Sequence, residues 1–270
     1  MKYFLVQASL LSFLCSLLLL ISIKWDERLL DEAIEGKITA RPDSGDLVEA
    51  LNKWVYNNKG FKKNEEYFIF RKLGPTPLQV LQLGGDCSDK SRLLSALLRR
   101  FGMDSTLVML HGCEGCKPTH TVVEVRYEHG RMAADPVYDI VFPAGSGSFY
   151  GVRNLKEDAS RLISRLDELK IQRGPANKIA FYDREMESYS WPKTINWDKN
   201  IVLRFVAAII ESTGNDPYLV MRPHFLEDPK LFLMYSSLFF GFVTGISAFV
   251  LRKKTTSIWT GPFKTADRAE

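Results

Sequence analysis

Histidine and cysteine are scarce in this chain of 270 residues, four of each, and no stretch is dominated by charge of one sign. The formal net charge is only +4, with Lys and Arg scattered among Asp and Glu. There is no basic stripe of the kind a phosphate backbone selects, so no nucleic-acid partner is expected. Internal repeats and low-complexity tracts are absent, which excludes a solenoid. No loop carries the clustered carboxylates of a calcium site, and no cofactor is expected. What remains is 46% apolar and 25% charged, a composition that buries an ordinary core: one globular domain with attachments.

The attachments are two uncharged runs, residues 3–23 and 231–251, made mainly of Leu, Phe, Val, Ile and Ser. Each meets the roughly 20 apolar residues that a helix needs to cross a bilayer. The first is long for the apolar region of a signal peptide, and no small-x-small cleavage pattern follows it. Leu14 precedes Cys15 where a lipoprotein signal wants Gly or Ala. An uncleaved anchor is therefore expected. Lys2 precedes the first run and Arg252, Lys253 and Lys254 follow the second. By the positive-inside rule both ends are cytoplasmic and the segment between them is extracytoplasmic, periplasmic or extracellular. Ala8, Ser12 and Ser16, and Ser237, Gly241 and Gly245, recur four apart and would let helices approach closely, as a pair or as a helix-mediated dimer.

Between the runs, Leu47, Leu51, Trp54 and Val55 have helical spacing behind Asp43, Ser44 or Asp46 as cap. Residues 60–64 break that helix, and Gly74, Pro75 and Pro77 mark a loop. Then Gly84-Gly85-Asp86-Cys87-Ser88-Asp89 opens a second helix, whose apolar face runs from Leu93 to Phe101. Asp86 and Asp89 resemble a capping box. Strands follow at 106–110, 120–127 and 131–135, with a turn at Glu128, His129 and Gly130. Helices first and a hairpin second is an α+β order. Residues 154–170 look helical and amphipathic, and the stretch after Gly174, with Trp191, Pro192 and Trp197, looks like an irregular wrap. Residues 201–210 are apolar but short and contain Arg204, the mark of a packed or interfacial helix.

Cys87 thus sits at a helix N-terminus. A thiol becomes a strong nucleophile as thiolate, which a helix N-terminus and a nearby imidazole favour. Gly84 and Gly85 would let backbone pass close to a substrate and free the Cys87 amide for an oxyanion. Asp86 and Asp89 oppose the thiolate, so a histidine has to supply positive charge. His129 lies in a turn and His224 near the membrane, leaving His111 and His120. If His129 and Gly130 form a two-residue hairpin loop, Asp135 faces Glu124 and His120 faces Asp139, which favours Asp139 as orienting group.

At this point the chain resembles the transglutaminase-like superfamily, whose core is a Gly-x-Cys opening a leucine-rich helix, a His opening a strand, and an Asp-Pro after the following strand. Here these are Gly85-Asp86-Cys87, His120-Thr-Val-Val-Glu124-Val125 and Asp135-Pro136. The resemblance covers residues 47–142. It implies a papain-like scaffold on which the helix bearing Cys87 packs on an antiparallel sheet bearing His120 and Asp135, these three being catalytic. A bulge or longer loop would then bring Asp135 under the histidine. Where the family often has an aromatic residue two after the His, this chain has Val122, and Gln82 and Gln79 are candidates for the oxyanion hole.

The expected organisation is an anchor at 1–24, a transglutaminase-like domain at 25–195, a juxtamembrane segment at 196–230, a second span at 231–251 and a cytoplasmic tail at 252–270. The expected activity is cleavage or transfer of a peptide or protein amide through a thioester, hydrolysis foremost. A catalytically inactive cell-envelope binding or assembly module is the rival. A second constellation, His111, Cys113, Cys116 and His120, has the residue types of a metal site. Outside the cytoplasm a Cys113–Cys116 disulfide is the stronger expectation.

Overall fold

The computed structural model describes residues 2–63 and 65–258, the last seven by backbone alone; the rest of the expected tail, 259–270, lies outside the described residues. The described residues divide into two compact units, 25–229 and 2–24 with 230–258.

In the larger unit, α2 (Gly45–Asn57) begins where the Ser44 side chain accepts from the Leu47 amide at 3.2 Å, and it buries Leu47, Val48, Leu51 and Val55. The Gly74–Pro77 cluster, expected as loop, instead leads into a short helix, α3 (Pro77–Leu83). Pro77 stands at its start, and Thr76 and Gln79 cap it reciprocally. Pro at the first helical position costs no hydrogen bond, because that amide has no intrahelical partner. The helix α4 (Cys87–Arg100) buries Leu93, Leu94, Leu97 and Leu98.

Five antiparallel strands follow: β1 (Ser105–His111), β2 (Pro118–Tyr127), β3 (Gly130–Asp135), β4 (Ile140–Val141) and, far along the chain, β7 (Pro192–Lys193). Their order in the sheet is β4-β3-β2-β1-β7. A small hairpin, β5 (Pro143–Gly145) with β6 (Ser148–Phe149), stands apart. The helix expected over 154–170 is two, α5 (Val152–Glu157) and α6 (Ala159–Arg173). They are interrupted at Asp158, whose carboxylate accepts from the Ser160 amide and starts the second. The wrap after Gly174 holds α7 (Asp183–Met186) between short 3-10 turns.

Helices cover both faces of the sheet, as the alternation of side chains requires. Val123, Val125, Met132 and Ala134 pack with α2 and α4. Val122, Ala133, Ile140 and Phe142 pack with Leu155, Leu162, Leu166, Tyr182 and Tyr189. α8 (Ile201–Ser212) buries only Ala207 among its residues and leaves Phe205 67% exposed.

The other unit takes its helical residues from α1 (Lys2–Ile34), up to Lys24, and from α9 (Pro229–Ile258), from Lys230 on; both helices are long and apolar enough to cross a membrane. Within that unit the small residues make the close approach that their spacing suggested. The Ser9 hydroxyl donates to the Gly241 carbonyl at 2.8 Å, and the Ser16 and Ser237 hydroxyls lie 2.9 Å apart. A Cβ on Gly241 would stand 3.3 Å from Ser12.

Candidate active site

Cys87 is the first residue of α4, a free and partly exposed thiol. The reciprocal cap before it is complete: the Asp89 amide donates to Asp86 Oδ1 at 3.1 Å and the Asp86 amide to Asp89 Oδ2 at 3.3 Å. The two glycines have a structural reason beyond the one expected. Gly84 has φ +83°, and a Cβ on Gly85 would stand 2.4 Å from Asp89 Cβ. The Gly85 carbonyl accepts from the Lys62 amide at 3.1 Å, which lays the strand-like segment bearing Phe61 beside the thiol. Burial first, then the neighbouring Asp86 charge, pushes the Asp89 carboxyl up to about 6, against Arg92. One turn into α4, the Lys90 ammonium is buried and donates to the carbonyls of Val55, Tyr56 and Asn58 at 2.8, 3.0 and 3.2 Å. It ties the end of α2 to the start of α4. The Ser91 hydroxyl donates to the Thr121 carbonyl at 3.0 Å and so fixes α4 to β2 beside His120.

The hairpin of β2 and β3 pairs Tyr127 with Gly130 and Val123 with Ala134, so its two-residue turn is Glu128-His129 and not His129-Gly130. That corrects the expected register by two residues. Asp135 falls opposite Val122, on the same face as His120 and diagonal to it, without any bulge between β2 and β3. Asp139, which the other register favoured, is turned away: it has φ +55° and its carboxylate accepts from Arg173 at 3.3 Å and Asn52 at 3.4 Å.

His120 Nε2 and Asp135 Oδ2 are 2.6 Å apart, with His120 only 4% exposed and Asp135 fully enclosed. The other carboxylate oxygen accepts from the Val137 and Tyr138 amides at 2.9 and 3.3 Å. Since Nε2 is engaged by Asp135, Nδ1 is left for Cys87, which lines the same cleft as the imidazole. Burial by itself would lower the His120 pKa. The Asp135 charge and hydrogen bond, then those of Cys87, outweigh burial and raise it from 6.5 to about 10. An imidazolium at neutral pH therefore stands between a sulfur and a buried carboxylate.

A cleft of about 300 Å³ opens over Cys87 and His120. Its wall includes Phe61, Tyr138, Lys178, Phe181 and Glu185. The last three come from the wrap after Gly174, to which the sequence reading assigned no chemistry. The one signal there is a run of aromatic and acidic residues between 181 and 189, too irregular to place on a face. Burial raises the Glu185 carboxyl above its ordinary range, with His120 opposing. Of the two glutamines considered for an oxyanion hole, the Gln79 side chain is committed to the α3 cap and Gln82 is not among the residues lining the cleft.

The second constellation does not come together as a metal site. Cys113 and Cys116 are bonded to each other, His120 belongs to Asp135, and His111 Nδ1 lies 2.7 Å from the Cys116 carbonyl.

No family model matches the chain, and no curated protein matches it. Among solved structures there is a likeness to a protein from Cytophaga hutchinsonii described provisionally as a cysteine protease. It has 18% identity and a TM-score of 0.32, covering 42% of this chain and 37% of that one. A likeness of that size leaves the functional reading to the site's own geometry.

Proposed function

We propose that this chain is a membrane-anchored thiol enzyme of the transglutaminase-like, papain-related kind, its domain extracytoplasmic and both termini cytoplasmic, acting on a peptide or protein amide. The single observation that carries the reading is the buried 2.6 Å His120–Asp135 pair sharing one cleft with Cys87 at the start of α4. A protonated imidazole supplies the charge that a thiolate needs, and the α4 N-terminus adds unpaired amides and a positive dipole end.

In this proposal the Cys87 sulfur attacks the amide carbonyl, and the developing oxyanion is met by the Cys87 amide. The imidazolium gives its proton to the departing amine, leaving a thioester. Water, deprotonated by the now neutral His120, releases the acid; a lysine amine in place of water would make a cross-link. Asp135 holds the ring with Nε2 bearing the proton throughout. Hydrolysis is preferred because water needs no second binding site. The outward Ile201, Val202, Phe205 and Ile209 of α8 fit an interfacial helix beside the bilayer.

The test is the rate of iodoacetamide modification of Cys87 from pH 5 to 9, in the wild type and in His120→Ala. Reactivity that persists well below the ordinary thiol pKa of about 8.5 and vanishes with His120 supports the enzyme. An ordinary thiol indifferent to the substitution refutes it and leaves a binding or assembly module of the same fold.

A further inference from the structure

Tyr182 and Tyr189 lie outside the core that the sequence resemblance covers, 47–142. Tyr182 follows the 3-10 turn Lys178–Phe181, its side chain is fully buried, and burial, then Tyr189 and the Asp135 charge, raise its phenol well above the ordinary range. Its hydroxyl lies 2.9 Å from the hydroxyl of Tyr189, also buried, in the next 3-10 turn. A phenol has one proton to donate. If Tyr182 gives it to the carboxylate, which can only accept, Tyr189 must donate to Tyr182. The result is a directed chain from Tyr189 to Tyr182 to Asp135 to His120. The Tyr182 ring also packs on the site, edge-on to His120 at 6.2 Å and to Tyr138 at 4.8 Å between centroids.

We infer that Tyr182, backed by Tyr189, is a positioning residue that fixes the rotation of the Asp135 carboxylate and through it the His120 ring. Two backbone amides hold only one carboxylate oxygen. The oxygen facing His120 needs a further donor if the buried charge is to be fully satisfied, since a carboxylate short of a donor takes up a proton at higher pH. The segment Lys178–Ser190 would then serve twice. Its inward residues Tyr182 and Tyr189 brace the pair, and its outward residues Lys178, Phe181 and Glu185 wall the cleft. This inference rests on the thiol-enzyme reading for its consequence in catalysis, but not for its geometry.

The experiment uses the full chain in detergent or nanodiscs, with Tyr182→Phe, Tyr189→Phe and the double variant, which leaves neither hydroxyl orphaned. One readout is the downfield proton resonance of the His120 Nε2–H bonded to Asp135; the other is the pH profile of Cys87 alkylation. Tyr182→Phe is expected to move or broaden the resonance, to shift the acid limb of the profile upward, and to slow alkylation at pH 6 by about tenfold, the worth of a hydrogen bond to a charged group. Tyr189→Phe does the same more weakly, and the double variant matches Tyr182→Phe. A resonance unchanged in Tyr182→Phe, or absent from the wild type, overturns the inference whatever the alkylation shows. A resonance that moves while wild-type Cys87 proves unreactive upholds the positioning role and refutes only the enzyme.

Discussion

Replacing Asp135 by Asn keeps the shape of the buried pair and removes its charge. Holding the imidazole at about 10 against its ordinary 6.5 corresponds to about 5 kcal/mol of net preference for the imidazolium. Without the carboxylate, burial has no large opponent and His120 falls below its ordinary value. At pH 6 the sulfur then loses its counter-charge and with it the support for the reactive thiolate. The higher nucleophilicity of a more basic thiolate recovers part of that loss, so alkylation at pH 6 should slow by about 10- to 100-fold, and much less at pH 9. The stability consequence has a definite sign. His120 binds its proton more tightly folded than unfolded, so its contribution is fully present below pH 6.5 and is lost as pH rises toward 10. Wild-type protein should therefore lose thermal stability between pH 6.5 and about 8, above which the Lys90 contribution opposes the loss, and Asp135→Asn should lose less. An alkylation rate in Asp135→Asn within twofold of wild type at pH 6 would refute the reasoning.

Gly85→Ala places a Cβ 2.4 Å from Asp89 Cβ, so the cap must open; a loss of about 1–3 kcal/mol in denaturant titration is expected, with slower Cys87 alkylation. Unchanged stability would mean that the cap does not constrain the glycine. Lys90→Met deprives the Val55, Tyr56 and Asn58 carbonyls of their shared donor, and a loss of about 3 kcal/mol is expected at pH 7. Burial holds Lys90 at about 8, below the 10.5 of the unfolded chain. The unfolded state binds more protons between those values, so this residue makes stability rise with pH there, and the rise should be missing from the variant. Alkylation of the denatured, unreduced protein should label Cys15 and Cys87 alone, and all four cysteines after reduction, as counted by mass spectrometry. Four labels before reduction would remove the Cys113–Cys116 bond.

What the sequence determined by itself is local. The Asp86–Asp89 cap, the leucine face of α4, the strands around His120 and Asp135 and the two long apolar helices rest on hydrogen bonds and periodicities spanning a few residues, and all of these are found. The resemblance named Asp135 against the expected hairpin register, and the structure supplies the reason. Moving the turn from His129-Gly130 to Glu128-His129 shifts the pairing by two residues, an even number. Asp135 therefore stays on the same face and travels from opposite Glu124 to opposite Val122, within reach of His120. Turn composition could not choose between those registers, because either keeps the same side chains buried. The helix α3 went unread because Pro77 ends one element and begins another with equal ease. The contribution of Lys178–Ser190 went unread for a different reason: Tyr182 packs edge-on to His120 across 62 positions of sequence, and no local pattern encodes a contact that exists only once the sheet is formed and the wrap has closed over it.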